Sequence, residues 1–417
     1  MKRTLALLLA CALGLSLLSG CTRASAAKEL TAPKLSANPS ESEEVNTALA
    51  AFGLELLQKT RETEKKSVFV SPLSVALALS MTANGADGET LAQFQEVLGG
   101  GADLVELNGA CVRLMQDYQS LTGSTKCSIA NSLWVDPDGQ IKDDFVGKCR
   151  GIFDAQVFQG ELSAPGIVDD LNRWVSDHTN KMIPKIIDQP FDKSTACLLV
   201  NALYLKNKWL HEFDPLATHE MDFHHGDGSD SRVDFLSKGH TDLSYLQGEG
   251  AQGAVLPYDD GRLAFFALLP DVYTDAGYLS FGDWLDGLDG DSLSRLIDAR
   301  EDALFLRFAM PKFTAEWQGD LTGILPEMGL EDAFVPGTAN FSKMGDNPEG
   351  YFISKVIHAA KIEVNEKGTE AAAATVVEAS GGGAPPEDGI TLVLDRPFLY
   401  GIVDLQTNVP LFLGTYE

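Results

Sequence analysis

The sequence predicts an α+β fold, and three observations carry that prediction. Val45, Leu49, Phe52 and Leu56 recur at helical spacing, and helical patterns cluster in the first part of the chain. Strand-like runs dominate later, from "TACLLVNALYLK" (195–206) to "PLFLGTY" (410–416). Helices grouped early and strands grouped late suit segregated layers, not the regular alternation of a parallel α/β sheet. No internal repeat is visible. The length of 417 residues would by itself suggest two or three domains, at roughly 100 to 200 residues each.

Each element follows from its local pattern. The stripe over 45–56 is an amphipathic helix. In "SVFVSPLSVALALSMTANG", residues 68–70 read as strand, Ser71 offers a capping hydroxyl and Pro72 suits a first helical turn. The helix after Pro72 is apolar nearly all round, so it should be buried. Asn84-Gly85 ends it, and another helix runs to Gly99-Gly100. "CSIANSLWVD" alternates like a strand, and Val168, Leu171, Trp174 and Val175 mark a further amphipathic helix. The run 195–206 is almost continuously apolar, as in a strand covered on both faces. "GAVLPY", "RLAFFALLP", "LFLRFAMPKF" and "TLVLDRPFLYGIVD" supply more strands.

A hydrophobic share of 44% is ordinary for a globular chain, and the formal charge is −28. That acidity argues against nucleic acid as a partner, because phosphate binding needs clustered Lys and Arg. Lys2 and Arg3 precede a short apolar run over 5–18, the pattern of a secretory signal in residues 1–20. The run is short for a membrane span. Leu18-Ser19-Gly20-Cys21 resembles the bacterial lipobox, which implies cleavage before Cys21 and lipidation of its thiol; the plainer alternative is an ordinary signal peptide. Residues 21–42 hold Ala, Ser, Pro, Thr and Glu without apolar period and read as a disordered tether. Cys111, Cys127, Cys149 and Cys197 form no CxxC pair, and the spacing leaves open whether they are paired or buried free thiols.

Two motifs suggest chemistry that their context rejects. Gly248-Glu249-Gly250-Ala251-Gln252-Gly253 has the spacing of a dinucleotide fingerprint, but paired strands follow it instead of a helix. His224 and His225, with Asp227 and Asp230, could suggest a metal site; the glycine-rich run reads better as a solvated hairpin turn. No HExxH, GxSxG or Walker A motif is present. Neither a metal nor a cofactor is expected, and the chain has no strong candidate for an enzymatic site.

From 43 to 417 the chain resembles a serpin. "FVSPLSVALALSMTANGADGET" resembles the family's buried second helix, and "NALYLKNKW" (201–209) its strand-to-turn signature. "MPKFTAEWQGDLTGILPEMGLEDAF" and "NFSKM" follow in order. "VIHAAKIEVNEKGTEAAAA" resembles the strand and hinge before the reactive loop, and "LVLDRPFLYGI" the C-terminal signature. The resemblance implies one large domain over 43–417, with three sheets, about nine helices and an exposed reactive loop over about 366–390. It implies an activity too. A protease cleaves the loop, is held as an acyl-enzyme, and is carried across the body as the freed loop inserts into the largest sheet, the strand-addition switch for which serpins are the standing example.

The residues of "EVNEKGTEAAAATVVEASGGGAPPEDG" (363–389) fit such a loop. Taking Thr369 as the first inward position puts Thr369, Ala371, Ala373, Thr375, Val377 and Ala379 on one face, all small or apolar. Glu370 and Glu378 then point outward, where neither carboxylate is buried at a cost of several kcal/mol. The hinge comprises Glu366, Lys367, Gly368, Thr369, Glu370, Ala371, Ala372, Ala373 and Ala374. Alanines lose little side-chain entropy on ordering, and Gly368 supplies a backbone pivot.

Other family positions map residue by residue. Ser71, Ser74, Asn201 and His358 match the polar shutter under the centre of the main sheet. Trp209 and Glu366 match the breach, where the loop first enters. Family spacing puts the scissile bond between Gly382 and Gly383, fourteen residues after Gly368. A glycine there suits proteases with shallow pockets, elastase-like or subtilisin-like, and Ala379-Ser380 or Ser380-Gly381 are alternative bonds. The expected partner is a serine protease, with a papain-like cysteine protease as an alternative, met by a monomer anchored through Cys21 to the outside of a bacterial membrane. A non-inhibitory serpin acting as a binding or chaperone module is the competing reading.

Overall fold

The computed structural model describes residues 25–417, apart from 241–242, 272, 275–276, 303–305 and 370–388. Among these residues eight α-helices and three short 3-10 turns surround three large sheets. The helices are α1 (Glu43–Glu64), α2 (Pro72–Ala83), α3 (Gly88–Gly99), α4 (Leu104–Gln119), α5 (Asp143–Ile152), α6 (Gly166–His178), α7 (Phe281–Asp286) and α8 (Ser292–Asp298). This is the α+β arrangement expected, with most helices before the strand-rich half.

The main sheet has seven strands: β1 (Ala27–Leu30), β2 (Lys126–Val135), β3 (Gln156–Gly160), β4 (Cys197–Lys208), β5 (Phe313–Asp320), β6 (Lys355–Asn365) and β7 (Gly368–Thr369). Their spatial order is β1-β3-β2-β4-β7-β6-β5. A second seven-stranded sheet includes Ala251–Pro257, Leu263–Pro270, Phe398–Asp404 and Pro410–Tyr416, and a third holds four strands from His219–His224 to Ile390–Val393. One hydrophobic cluster runs from Ala32 to Leu413, so the large sheets share a core.

α2 lies at the centre of that core. All twelve of its residues are buried, which is why its sequence shows no polar face. A separate cluster covers the outer face of the main sheet, where Leu171 and Trp174 of α6 pack on Ala130, Trp134, Leu198, Val200 and Ala359. β4 is therefore covered on both faces along nearly its whole length.

Two expectations are corrected. Ser71 occupies the N-cap of α2, but its side chain caps nothing; its hydroxyl donates instead to the Leu411 carbonyl at 2.8 Å. The tether expected over 21–42 is docked from Ser25 onward. Ala27–Leu30 pairs antiparallel with β3, from Ala27↔Gly160 to Leu30↔Val157. Leu35 N–H then donates to Gly147 O and Ser40 N–H to Gly109 O. The physical reason lies in the receiving surface. A Cβ at Gly109, Gly147, Gly151 or Gly160 would collide with this segment, so glycines on α4, α5 and β3 form a track that takes bare backbone. Backbone pairing needs no apolar period in the strap itself. Residues 1–24, with the signal and Cys21, lie outside the described residues.

Candidate functional site

β4 and β6, the central strands, pair only at their lower ends. The parallel register runs from Lys355↔Leu198 to Ala359↔Ala202. Above it the strands part, and at the top β7 fills the wedge. Gly368↔Lys208 and Thr369↔Asn207 pair antiparallel with β4, while Asn365↔Gly368 and Val364↔Thr369 pair with β6.

A polar cluster sits at the last rung but one before the strands part. His358 is in register with Asn201, and Nδ1 lies 2.7 Å from Asn201 Oδ1. The Ser71 backbone N–H donates to His358 Nε2 at 3.0 Å. Nε2 is thus an acceptor, so the ring proton belongs on Nδ1 and His358 is neutral. Burial alone enforces this by lowering its pKa to about 3. The Ser74 hydroxyl reaches Ser71 O at 3.2 Å and Asn201 Oδ1 at 3.4 Å. The four residues predicted from sequence are therefore brought together, all buried.

Two neighbours belong to the same cluster and drew no notice in the sequence. Asn131 pairs with Asn201 across β2 and β4, and the Asn131 amide and Asn201 Nδ2 have no hydrogen-bond partner among the described residues. An Asn amid the buried stretch of a strand was the available signal. Trp317 of β5 lies 5.9 Å from the His358 ring. Gly319, in register with His358, leaves room for that indole, which a Cβ there would strike.

The upper site is built around Trp209. Its ring stacks on Tyr258 at 5.0 Å and meets Phe265 edge-on at 5.6 Å. Its Nε1 donates to Asn365 O at 2.8 Å and its backbone N–H to Lys367 O at 3.1 Å. Glu366 is held by Lys312 at 3.0 Å and by the Thr218 hydroxyl at 3.0 Å. Burial raises the Glu366 pKa, but its own backbone N–H, Lys312 and Thr218 together bring it below the usual range. Trp209 and Glu366, predicted as a pair, both clamp the turn at 366–367.

That turn delivers β7 into the sheet. Gly368 has φ 149°, and a Cβ there would strike the Asn207 carbonyl, so close approach as well as conformation demands glycine. Thr369 is wholly buried and sits opposite Val364. Paired residues share a face, and alternation along β6 puts Val364 on the same face as Ile362, Ala360 and His358. Thr369 thus points inward, where its hydroxyl stands before the Tyr258 phenol. Glu370, Ala371, Ala372, Ala373, Ala374, Gly382 and Gly383 lie outside the described residues.

The other sequence motifs resolve as connections. Gly248, Glu249 and Gly250, all at positive φ, turn the chain between Ser244–Gly248 and Ala251–Pro257. His224 and His225 head a hairpin between His219–His224 and Asp230–His240, with His224 Nδ1 2.7 Å from Asp230 Oδ1. The four cysteines of the body are free, and burial raises the Cys111, Cys127 and Cys197 thiols to about 12 and Cys149 higher still.

Comparison with known proteins agrees with this geometry. The model of the family Serpin (serine protease inhibitor) matches residues 47–417. Iripin-3 of Ixodes ricinus is 31% identical over 382 residues, covering 90% of this chain and 94% of its own. Tengpin, a thermophilic serpin, superposes in its native state with a TM-score of 0.84 at 32% identity, over 93% of this chain and 98% of tengpin. Against latent tengpin the TM-score is 0.75, at 30% identity over 91% and 98% of the two chains. With a family match over nearly its whole length, and a main sheet parted between its central strands, the chain belongs to the serpins, a family of protease inhibitors and not of enzymes.

Proposed function

We propose that this protein is an inhibitory serpin that traps serine proteases with small specificity pockets, elastase-like or subtilisin-like, by inserting its cleaved loop between β4 and β6. One observation carries the reading. The hinge residues Gly368 and Thr369 are seated between the two central strands, with Thr369 pointing inward. Insertion needs only to continue a register that has begun. Each further loop residue falls opposite the preceding residue of β4, because Thr369 faces Asn207 in an antiparallel pair. Ala373 would then meet Leu203, and Ala379 would meet Cys197 at the lower end of the strand. Every inward residue on that path is Thr, Ala or Val.

In this reading Ser71, Ser74, Asn201 and His358 hold the sheet closed and release it as the loop passes. Trp209 and Glu366 set the barrier at its mouth. Gly382-Gly383 is the scissile bond, and its lack of side chains is what suits a shallow pocket. The protein is exported by residues 1–20, lipidated at Cys21 and displayed as a monomer on the outer side of a bacterial membrane. The lipobox-like Leu18-Ser19-Gly20-Cys21 supports the anchor.

The test is incubation with elastase, subtilisin and papain, followed by denaturing gel electrophoresis. A covalent complex with elastase or subtilisin is expected. A complex with papain alone would move the target to cysteine proteases. Cleaved chain beside fully active protease in every case would sink the inhibitory reading and leave a non-inhibitory binding module.

A further inference from the structure

The strap at the N-terminus and the hinge of the loop sit at opposite ends of the main sheet. Thr369 pairs with Asn207, at the top of β4. Following the registers down, Cys197 at the bottom of β4 pairs with Val135, and Val135 pairs with Gln159. Ala27 pairs with Gly160, one position lower still. Ser25 and Ala26 are fastened beside it, both bonded at 2.7 Å to the Asp170 carboxylate of α6. The ten residue-to-residue steps from Cys197 to Asn207 span about 33 Å of strand.

Cys21 lies four residues before Ser25. Four residues reach at most about 14 Å. A lipid on Cys21 therefore holds this lower end of the body close to the bilayer, whatever the tether's path. Asp136, Asp138, Glu161 and Glu349 gather at the same end. Lys355, paired with Leu198, and Arg173, on Asp170, stand at that end too, so charge of one sign does not orient the body and the covalent tether sets the orientation.

We propose that the lipidated protein stands on the membrane on the base formed by the Ala27 end of the sheet, with its reactive loop at the far pole, facing outward. This rests on lipidation at Cys21 and on the trapping mechanism proposed above, and adds a consequence for that mechanism. Extending the Thr369 register past Ala379 brings the cleaved end of the loop down to the base. The captured protease would arrive in the gap between base and bilayer. A protease of about 220 residues has a radius of gyration of about 17 Å, which alone exceeds the tether's reach. The bilayer then opposes the last part of the journey, and tether length limits how many proteases are held.

The experiment couples the Cys21 thiol of a chain beginning at that residue, in a Cys127→Ser background, to a maleimide lipid in zwitterionic vesicles carrying an acceptor dye. A donor dye is attached through an azide-bearing residue replacing either Asp138, at the base, or the exposed Leu216, beside the hinge. Energy transfer severalfold greater from position 138 is expected; equal or greater transfer from position 216 overturns the orientation. In a second arm, a flexible insert of about 20 Gly and Ser residues between Arg23 and Ala24 should raise the share of subtilisin held covalently on vesicles at least twofold and leave the soluble form unchanged. An unchanged share on vesicles overturns the limit set by the tether. The mass of the N-terminal peptide from bacterial membranes reports separately whether cells lipidate Cys21. Loss of that reading leaves the chemically anchored result standing.

Discussion

Asn201 and His358 are joined by a 2.7 Å hydrogen bond one rung before β4 and β6 part. The bond crosses the line along which β4 and β6 part, and it depends on a histidine that burial keeps neutral, with its pKa lowered to about 3. The unfolded chain takes up a proton near pH 6.5 and the folded one does not, so this contribution to stability is full above that pH and falls as pH drops. Between pH 6.5 and pH 5 the loss amounts to about 2 kcal/mol, at roughly 1.4 kcal/mol per unit. Glu366, whose pKa is depressed, loses its contribution in the same direction, below its unfolded value. Urea unfolding at pH 7.5 and pH 5 should show this loss, and His358→Gln should shrink it. An identical acid response in that variant would place the sensitivity elsewhere.

Thr369→Arg should turn the inhibitor into a substrate. Thr369 is wholly buried in front of Tyr258, and forcing a guanidinium into that site takes a charge out of water where a small hydroxyl fits. Cleavage by elastase should continue while covalent complex disappears from the gel. Undiminished complex would mean that the loop inserts in another phase.

Thr375 should matter only after cleavage. Continuing the Thr369↔Asn207 register sets Thr375 opposite Asn201, whose Nδ2 lacks a partner among the described residues. Thr375→Val should leave the intact protein's melting unchanged and destabilise the cleaved form by about 1 to 2 kcal/mol. Calorimetry on both forms separates this from a general loss. A variant whose cleaved form melts like the parent's would rule out that register.

Trp209→Ala should lower the stability of the intact protein by about 3 to 5 kcal/mol. It removes the stack on Tyr258 and the bond to Asn365 O together. Thr218→Ala, which deletes one bond to Glu366, should cost about 1 kcal/mol. Equal effects of the two changes, read by denaturant unfolding, would show that the indole anchors nothing special.

Gly382→Arg should redirect the protein towards trypsin-like proteases, since a basic residue before the bond fits an acidic pocket. The mass of the released C-terminal fragment locates the cut. Cleavage by elastase of the unaltered protein at Ala379-Ser380 or Ser380-Gly381 would move the scissile bond upstream and shorten the inserting segment.

Ser71, Ser74, Asn201, His358, Trp209 and Glu366 could be named in the sequence through the resemblance to serpins, and local patterns added to that. Keeping Glu370 and Glu378 on one face set Thr369 on the other once the loop was identified, and an apolar run flanked by Ser71-Pro72 announced a wholly buried helix. What stayed hidden depends on partners far away in the chain. Nothing near Ser71 says that its hydroxyl would bond Leu411 instead of capping α2. Asn131 gains meaning only once β2 and β4 are paired. The strap at 25–40 resembled a loose linker because its affinity for the body resides in the glycines of α4, α5 and β3.

For a protein that works by being cut, as proposed above, that strap answers a hazard. A stretch rich in Ala, Ser and Pro is the kind of chain a protease shears first if it hangs free. With the anchor proposed at Cys21, a severed leader would cost the molecule its anchorage, and the proposed inhibitor would drift away from its surface. Bonded along its backbone from Ser25 to Ser40, the leader offers an attacker little to grip. In the proposed mechanism the glycine track thereby leaves the reactive loop as the cut that captures the protease making it.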